Sequence, residues 1–365
     1  MTSDNREVET LRLSIVDPAR LDAPASAQSI AQAAAILRRG GLVALPTETV
    51  YGLGANALDA AAVARIFAAK QRPAWDPIIV HIAGPVENNT MLCTLAAHIP
   101  EAAYALMRAF WPGPLTLLLP RSSQVPDAVT AGRPLVGIRM PAHSVAFELI
   151  RAAGVPVAAP SANLFGHISP TKASHVLEDL DGRIDAVLDA GPTQHGVEST
   201  VLDPNQTPMV IYRPGAITAE QIRAAAGPVE VFQAPPILDT EPREALPSPG
   251  VGLRHYAPRA RLILIESPLA DLPARIAEEA GRHRTERIGL MLPVEITLPE
   301  AAHTQQGTTV FSWGSWFAPE ELAQNLYAGL RALDAQGCTV ILCPLPPIQG
   351  LGAALHDRLR KAAAQ

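Results

Sequence analysis

At 365 residues the chain is longer than one hydrophobic core usually organises, and its 48% apolar and 18% charged residues exclude disorder as its main state. A formal net charge of −6 excludes a broad cationic footprint, so any cationic chemistry must be local and strong direct nucleic-acid binding is not expected. The three cysteines, Cys93, Cys338 and Cys343, are too few and too scattered for a disulfide framework or a zinc site, which points to a reducing compartment.

In chain order, the stretch MTSDNREVETLRL carries acids and no continuous apolar core, so residues 1–27 read as an N-terminal extension rather than a targeting signal. No apolar run approaches the ~18 residues that span a bilayer. A cytoplasmic protein with no membrane partner is the expectation. Between residues 28 and 232 strand and helix patterns alternate. Strands are predicted at 41–46, 77–82, 114–120, 135–140, 155–160, 185–190, 199–204 and 209–214. Helices fit the stretch after Asp59, EAAYALMRAF, SVAFELIRAA and KASHVLEDL, the last entered through Ser169 as N-cap with Pro170 at the first helical position. Another helix starts at Thr218, where Gln221 completes a capping box. Residues 233–259 are dense in proline and read as a linker. From 260 to 365 strands again alternate with helices, predicting a small, mostly parallel sheet. The whole is a two-part α/β chain.

Several motifs sit where strands or helices end. In KQRPAWDPIIVHI, Lys70 closes a helix and Arg72 is biased to extended geometry by Pro73. On a continuous helix these side chains would diverge by about 200°, but across a helix end they can converge on one anion. Alternatively both simply complement the helix C-terminus. Ser161 and Asn163, in PSANLFGHISPT, follow a predicted strand at the carboxyl end where open α/β sheets bind ligands; turn formation is the competing role. Thr47, Thr49 and Tyr51, in ALPTETVYGLGANA, either bind a polar ligand or cap a turn. The stretch completes neither a phosphate loop nor a dinucleotide fingerprint. Arg139 and Arg213 end strands and offer planar forks suited to a carboxylate or phosphate, or else to surface ion pairs. Ser199 and Thr200 open another strand. No hydrolase triad signature or histidine pair at metal spacing is present.

Taken together and in order, LPTETVYGLG, KQRP…PIIVHI, WPGPLTLLL, GIRMP, PSAN…SPT, GVESTV and YRPG closely resemble the threonylcarbamoyl-AMP synthase family over about residues 28–226. SPGVGLRHYAP, at 248–258, is similar to the linker of its two-domain members. The resemblance implies a YrdC-like twisted mixed sheet with helices around a cationic cavity, plus a smaller Rossmann-like α/β domain. It implies synthesis of threonylcarbamoyl-AMP and pyrophosphate from L-threonine, bicarbonate or CO2, and ATP. The product would pass to partner proteins that transfer it to tRNA. Lys70, Arg72, Ser161, Asn163, Ser169 and Arg213 match nucleotide-side positions, with Lys70 and Arg72 acting on the charge that develops. Thr47, Tyr51, His81, Arg139 and Ser199 match positions that hold threonine. His255 and Tyr256 of the linker are suited to reach phosphates, with the linker as a lid. Mg2+ is expected with ATP rather than on protein side chains. His81 is a candidate general base, and no residue is assigned that role. Trp75, Phe165, His167, Gly252 and Leu253 depart from the family's usual residues. The competing reading is a non-catalytic RNA-binding or translation-associated module of the same fold, and acylphosphatase and zinc-finger segments of hydrogenase maturation proteins are not seen.

Overall fold

The computed structural model describes residues 9–233, 256–298 and 307–364. The chain divides into two units: Met1–Phe165 with Pro170–Thr193 and Glu198–Val251, and Gly166–Ser169 with Gln194–Val197 and Gly252–Gln365.

The first unit is built on β1 (Leu11–Ser14), β2 (Val43–Pro46), β3 (Tyr51–Asn56), β4 (Ile79–His81), β5 (Leu115–Pro120), β6 (Leu135–Arg139), β7 (Val157–Ala158), β8 (Ala186–Asp189), β9 (Thr200–Asp203), β10 (Met209–Arg213) and β11 (Val229–Val231). They form an 11-stranded mixed sheet in the order β1-β8-β2-β3-β7-β4-β6-β5-β9-β10-β11. Its helices are α1 (Pro24–Arg38), α2 (Ala60–Lys70), α3 (Thr90–Leu95), α4 (Glu101–Phe110), α5 (Asp127–Thr130), α6 (Ser144–Ala153), α7 (Ala173–Leu180) and α8 (Ala219–Ala226). Strand side chains alternate between two cores. Val43 and Leu45 join Ile30, Leu37, Leu149 and Ile150 of α1 and α6, whereas Ala44 and Leu53 join Val63, Ile66 and Leu106 of α2 and α4. Both faces of the sheet are therefore covered.

Three local readings are corrected. The extension contains β1, which pairs in parallel with β8, and α1 starts within it at Pro24. LRLS buries a single side chain, too weak a pattern to read as a strand. A strand not predicted from the sequence follows the bends at residues 48–50: Tyr51–Asn56 folds back antiparallel to β2. Its two glycines argue against a strand by propensity, yet a Cβ on Gly54 would come within 2.8 Å of the Leu45 side chain and 2.9 Å of Val157. Ser169 is not an N-cap, since α7 starts at Ala173 after Lys172. The preceding segment is bound by other backbone instead, with Tyr51 N–H donating to Pro170 O at 2.8 Å and Thr193 N–H to Thr171 O at 3.0 Å.

The second unit contains β12 (Arg261–Ile265), β13 (Ile288–Pro293), β14 (Thr309–Gly314) and β15 (Val340–Pro344), ordered β12-β15-β13-β14 with every pair parallel. Helices α9 (Leu272–Arg282), α10 (Pro319–Ala335) and α11 (Gly352–Ala363) follow β12, β14 and β15. Tyr256 enters this unit buried, its ring stacked 5.7 Å from that of Tyr327 and lying 5.3 Å beneath the Arg358 guanidinium.

Candidate active site

The end of α2 and the loop after β7 form one clamp. Asp59 starts the helix by accepting from Ala61 and Ala62 N–H, and Gln71 ends it in the left-handed region with φ 53°. Lys70, 1% exposed, then sends its Nζ to the main-chain carbonyls of Ser161 and Asn163. Phe165 N–H returns a bond to Lys70 O at 2.9 Å. The loop is tied to β3 as well, by Leu53 N–H to Pro160 O at 2.7 Å and Ala162 N–H to Tyr51 O at 2.8 Å. Burial, and secondarily the charge of Arg72, push the Lys70 pKa well below its ordinary value. An incoming anion would reverse that.

Arg72 reaches forward rather than back to its helix. Its Nη2 lies 2.8 Å from Asp76 Oδ2 in a fully buried ion pair, while Nε and Nη2 donate to the carbonyls of Asp76 and Pro77 at 3.2 and 2.9 Å. The guanidinium lies 5.9 Å over the Phe165 ring, which meets Trp75 edge-on at 6.1 Å. The unusual Trp75 and Phe165 are thus a matched aromatic pair beneath Arg72. Lys70 and Arg72 direct their side-chain hydrogen bonds to the carbonyls of Ser161, Asn163, Asp76 and Pro77 rather than to the last carbonyls of α2.

A second cluster forms around Arg139, at the end of β6 and in register with His81 of β4. Its Nε donates to Gly113 O at 3.2 Å and Nη1 to Thr49 Oγ1 at 3.0 Å, and Nη2 lies 2.6 Å from Glu48 Oε1. Both partners of that ion pair are almost wholly buried, and the Glu48 carboxylate is held besides by the main chain of Ala142 and of Glu48 itself. Thr47 Oγ1 donates to Val50 O at 2.6 Å and lies 2.8 Å from Thr49 Oγ1, so Thr49 donates to it. Burial would raise the pKa of Glu48, but the adjacent Arg139 charge outweighs it and holds the carboxyl below its ordinary value. Burial, then Arg139, push His81 down to about 3. It is a neutral group and a weak base. Glu48 carried no role in the sequence reading, although it lies between Thr47 and Thr49 in a stretch singled out there.

Ser199 and Arg213, expected to face different substrates, are bonded to each other. Arg213 Nε and Nη2 donate to Ser199 O and Oγ, each at 3.1 Å, and Ser199 Oγ lies 2.8 Å from Thr116 Oγ1 of β5. Thr116 was not foreseen: it reads as one polar residue in an apolar strand. Gly215, the glycine of YRPG, has a packing reason, since its Cβ would sit 2.3 Å from Thr200 N. Tyr51 uses its hydroxyl on the main chain, donating to Gly191 O at 2.7 Å, and is not seen to bond any other expected site residue through that group. Asn163 also donates from Nδ2 to Leu164 O at 2.9 Å. Ser169 is fully buried and groups with the second unit. His255, Gly252, Leu253 and all but the end of the expected lid lie outside the described residues. Among the described residues, no group of three or more His, Cys, Asp or Glu is placed to hold a metal ion, and no helix is long and apolar enough to cross a membrane.

Two family models match: "Telomere recombination" over residues 35–215, and "Threonylcarbamoyl-AMP synthase, C-terminal domain" over residues 217–364. The chain is 43% identical over 333 residues to a threonylcarbamoyl-AMP synthase of Pyrococcus abyssi, covering 91% of this chain and 93% of that one. It is 45% identical over 337 residues to a protein of the same name from Bacillus subtilis, covering 92% of each. The crystal structure of P. abyssi Sua5 complexed with L-threonine is similar to it with a TM-score of 0.84 and 41% identity over 97% of both chains.

Proposed function

Because the chain belongs to the threonylcarbamoyl-AMP synthase family, we propose that it is a nucleotidyltransferase joining L-threonine, bicarbonate and ATP into threonylcarbamoyl-AMP and pyrophosphate. The product serves the threonylcarbamoyladenosine modification of tRNA, with the final transfer left to partner proteins in the cytoplasm. The observation that carries this reading is the Arg139 cluster. A buried guanidinium at the end of β6, bonded to Thr49, paired with Glu48 and in register with His81, fits the carboxylate of a small hydroxy amino acid.

Threonine binds with its carboxylate on Arg139. The nucleotide phosphates approach the Lys70 and Arg72 clamp and the loop of Ser161 and Asn163, with Arg213 alongside. Amine and bicarbonate give a carbamate, whose oxygen attacks the α-phosphorus as pyrophosphate leaves. No covalent enzyme nucleophile is needed, so positioning and charge stabilisation supply the catalysis. A phosphate beside Lys70 favours its protonated form, which then opposes the charge growing on the leaving group. Mg2+ would arrive on the phosphate oxygens and supply further charge neutralisation there. The site's two buried carboxylates, Asp76 and Glu48, are each paired with an arginine, and among the described residues no group of three or more His, Cys, Asp or Glu is placed to hold a metal, so the protein side chains fit the phosphates rather than the metal.

The test is pyrophosphate release from ATP by the full chain, with threonine and bicarbonate each omitted in turn. Release is expected to need both. Threonine-independent release at the same rate would remove the proposal.

A further inference from the structure

Glu48 is a carboxylate with 2% exposure, set between two threonines and against the guanidinium assigned to the substrate carboxylate. Burying a charge is costly even when it is paired, so its retention calls for a use. We propose that Glu48 binds the α-ammonium group of the amino-acid substrate and takes its proton, which makes it the catalytic base for carbamate formation. This rests on the reading in which Arg139 holds the threonine carboxylate.

The geometry follows from the substrate. Carboxylate and ammonium hang from one carbon, so docking the first on Arg139 brings the second to an anion adjacent to that guanidinium. Glu48 Oε1 is 2.6 Å from Arg139 Nη2, and the carboxylate is held in place beside that guanidinium by the main chain of Ala142 and of Glu48 itself. The charged or titratable groups facing Glu48 are Arg139 on β6, His81 on β4 and His143 at the N-cap of α6. Burial pushes both histidines down, so neither competes for the proton. In the free site Arg139 keeps Glu48 ionised. Once the substrate carboxylate shares that guanidinium, two anions face one cation, and Glu48 gains affinity for a proton as the ammonium presents one.

The step balances without further reagents. An N–H bond of the ammonium breaks and an O–H bond forms on Glu48, leaving the neutral amine with its electron pair. That pair attacks the bicarbonate carbon, and carbamate and water result with no additional proton to place. Glu48 returns its proton to water when the site opens.

The experiment compares full-length wild type and Glu48→Gln for threonine-dependent pyrophosphate release at about pH 7 and about pH 9, with folding checked by circular dichroism. Loss of a general base costs about 10²-fold or more, so Glu48→Gln is expected to lose about that factor at the lower pH and recover most of it at the higher. There the substrate amine, whose ordinary pKa is about 8 or somewhat above, deprotonates unaided. Calorimetry with threonine and with 2,3-dihydroxybutanoate, which has a hydroxyl in place of the amine, should show that Glu48→Gln narrows the preference for threonine. Unchanged turnover at about pH 7, or a loss equal at both pH values, would overturn the proposal; the latter would leave Glu48 only positioning Arg139. Should Glu48→Gln not fold, Glu48→Asp keeps the ion pair and must show the same pH-dependent loss in milder form, and wild-type turnover there overturns the idea equally. A wild-type chain without threonine-dependent release would instead fail the functional reading itself, before any variant is made.

Discussion

Lys70 and Asn163 are joined through the Asn163 carbonyl, which accepts from Lys70 Nζ across 93 residues of sequence. The same nitrogen also holds the Ser161 carbonyl. A helix end and a strand end are therefore locked into one object by the group proposed to meet the nucleotide. Lys70→Ala should lower turnover by about 10² to 10³, the usual worth of an anion-stabilising contact. Because the carbonyls lose their donor, some thermal stability should go as well. Lys70→Arg should restore neither, since a planar fork cannot replace a compact amine between two carbonyls. Pyrophosphate release and thermal melts on the same samples check this.

The buried pair of Glu48 and Arg139 gives a cycle in stability. Removing either partner leaves an uncompensated buried charge, so Glu48→Leu and Arg139→Met alone should each cost about 3–5 kcal/mol. The double variant should regain most of that in urea unfolding. It should still bind no threonine by calorimetry, which separates the pair's structural and substrate roles.

His81 predicts a pH signature. Its folded pKa of about 3 lies below the ordinary 6.5, so the unfolded chain binds the extra proton. Its contribution to stability is whole above pH 6.5 and is lost as pH falls from there towards 3. The slope is at most about 1.4 kcal/mol per pH unit. His81→Gln should remove that part of the slope, measured as urea midpoints between about pH 7 and about pH 4.

Gly215 reports on the Ser199 and Arg213 contact. A Cβ there would meet Thr200 N at 2.3 Å and the Ser199 carbonyl carbon at 2.5 Å, both main chain and unable to give cheaply. Gly215→Ala should destabilise by about 1–3 kcal/mol and lower turnover by displacing Ser199. Full stability with full turnover would show that the strand shifts freely.

Tyr256 separates packing from ligand contact. Stacked on Tyr327 beneath Arg358, its ring should make Tyr256→Ala lose about 3 kcal/mol or more. If Tyr256→Ala melts normally and only synthesis falls, the residue serves the nucleotide instead.

Much of this protein was legible locally. Alternating strands and helices, the Asp59 cap, the Thr218 and Gln221 capping box and the parallel second sheet follow from periodicity and capping chemistry, which act over a few residues. Lys70, Arg72, Arg139 and Arg213 stood out because a cation at the end of an apolar element is conspicuous in a chain that is 18% charged. What only the tertiary structure decided depends on partners far apart in sequence. The strand Tyr51–Asn56 is fixed by its antiparallel pairing with β2 and β7, where Leu45 and Val157 leave no room for a side chain at Gly54, and the segment before Ala173 is held by the bond from Tyr51 N–H to the Pro170 carbonyl. Glu48 looked like any acid in a loop until Arg139, 91 positions later, was brought to 2.6 Å from it. Its burial, its charge state and its place beside the expected substrate are properties of that meeting, since pairing and desolvation are set by the neighbours in space.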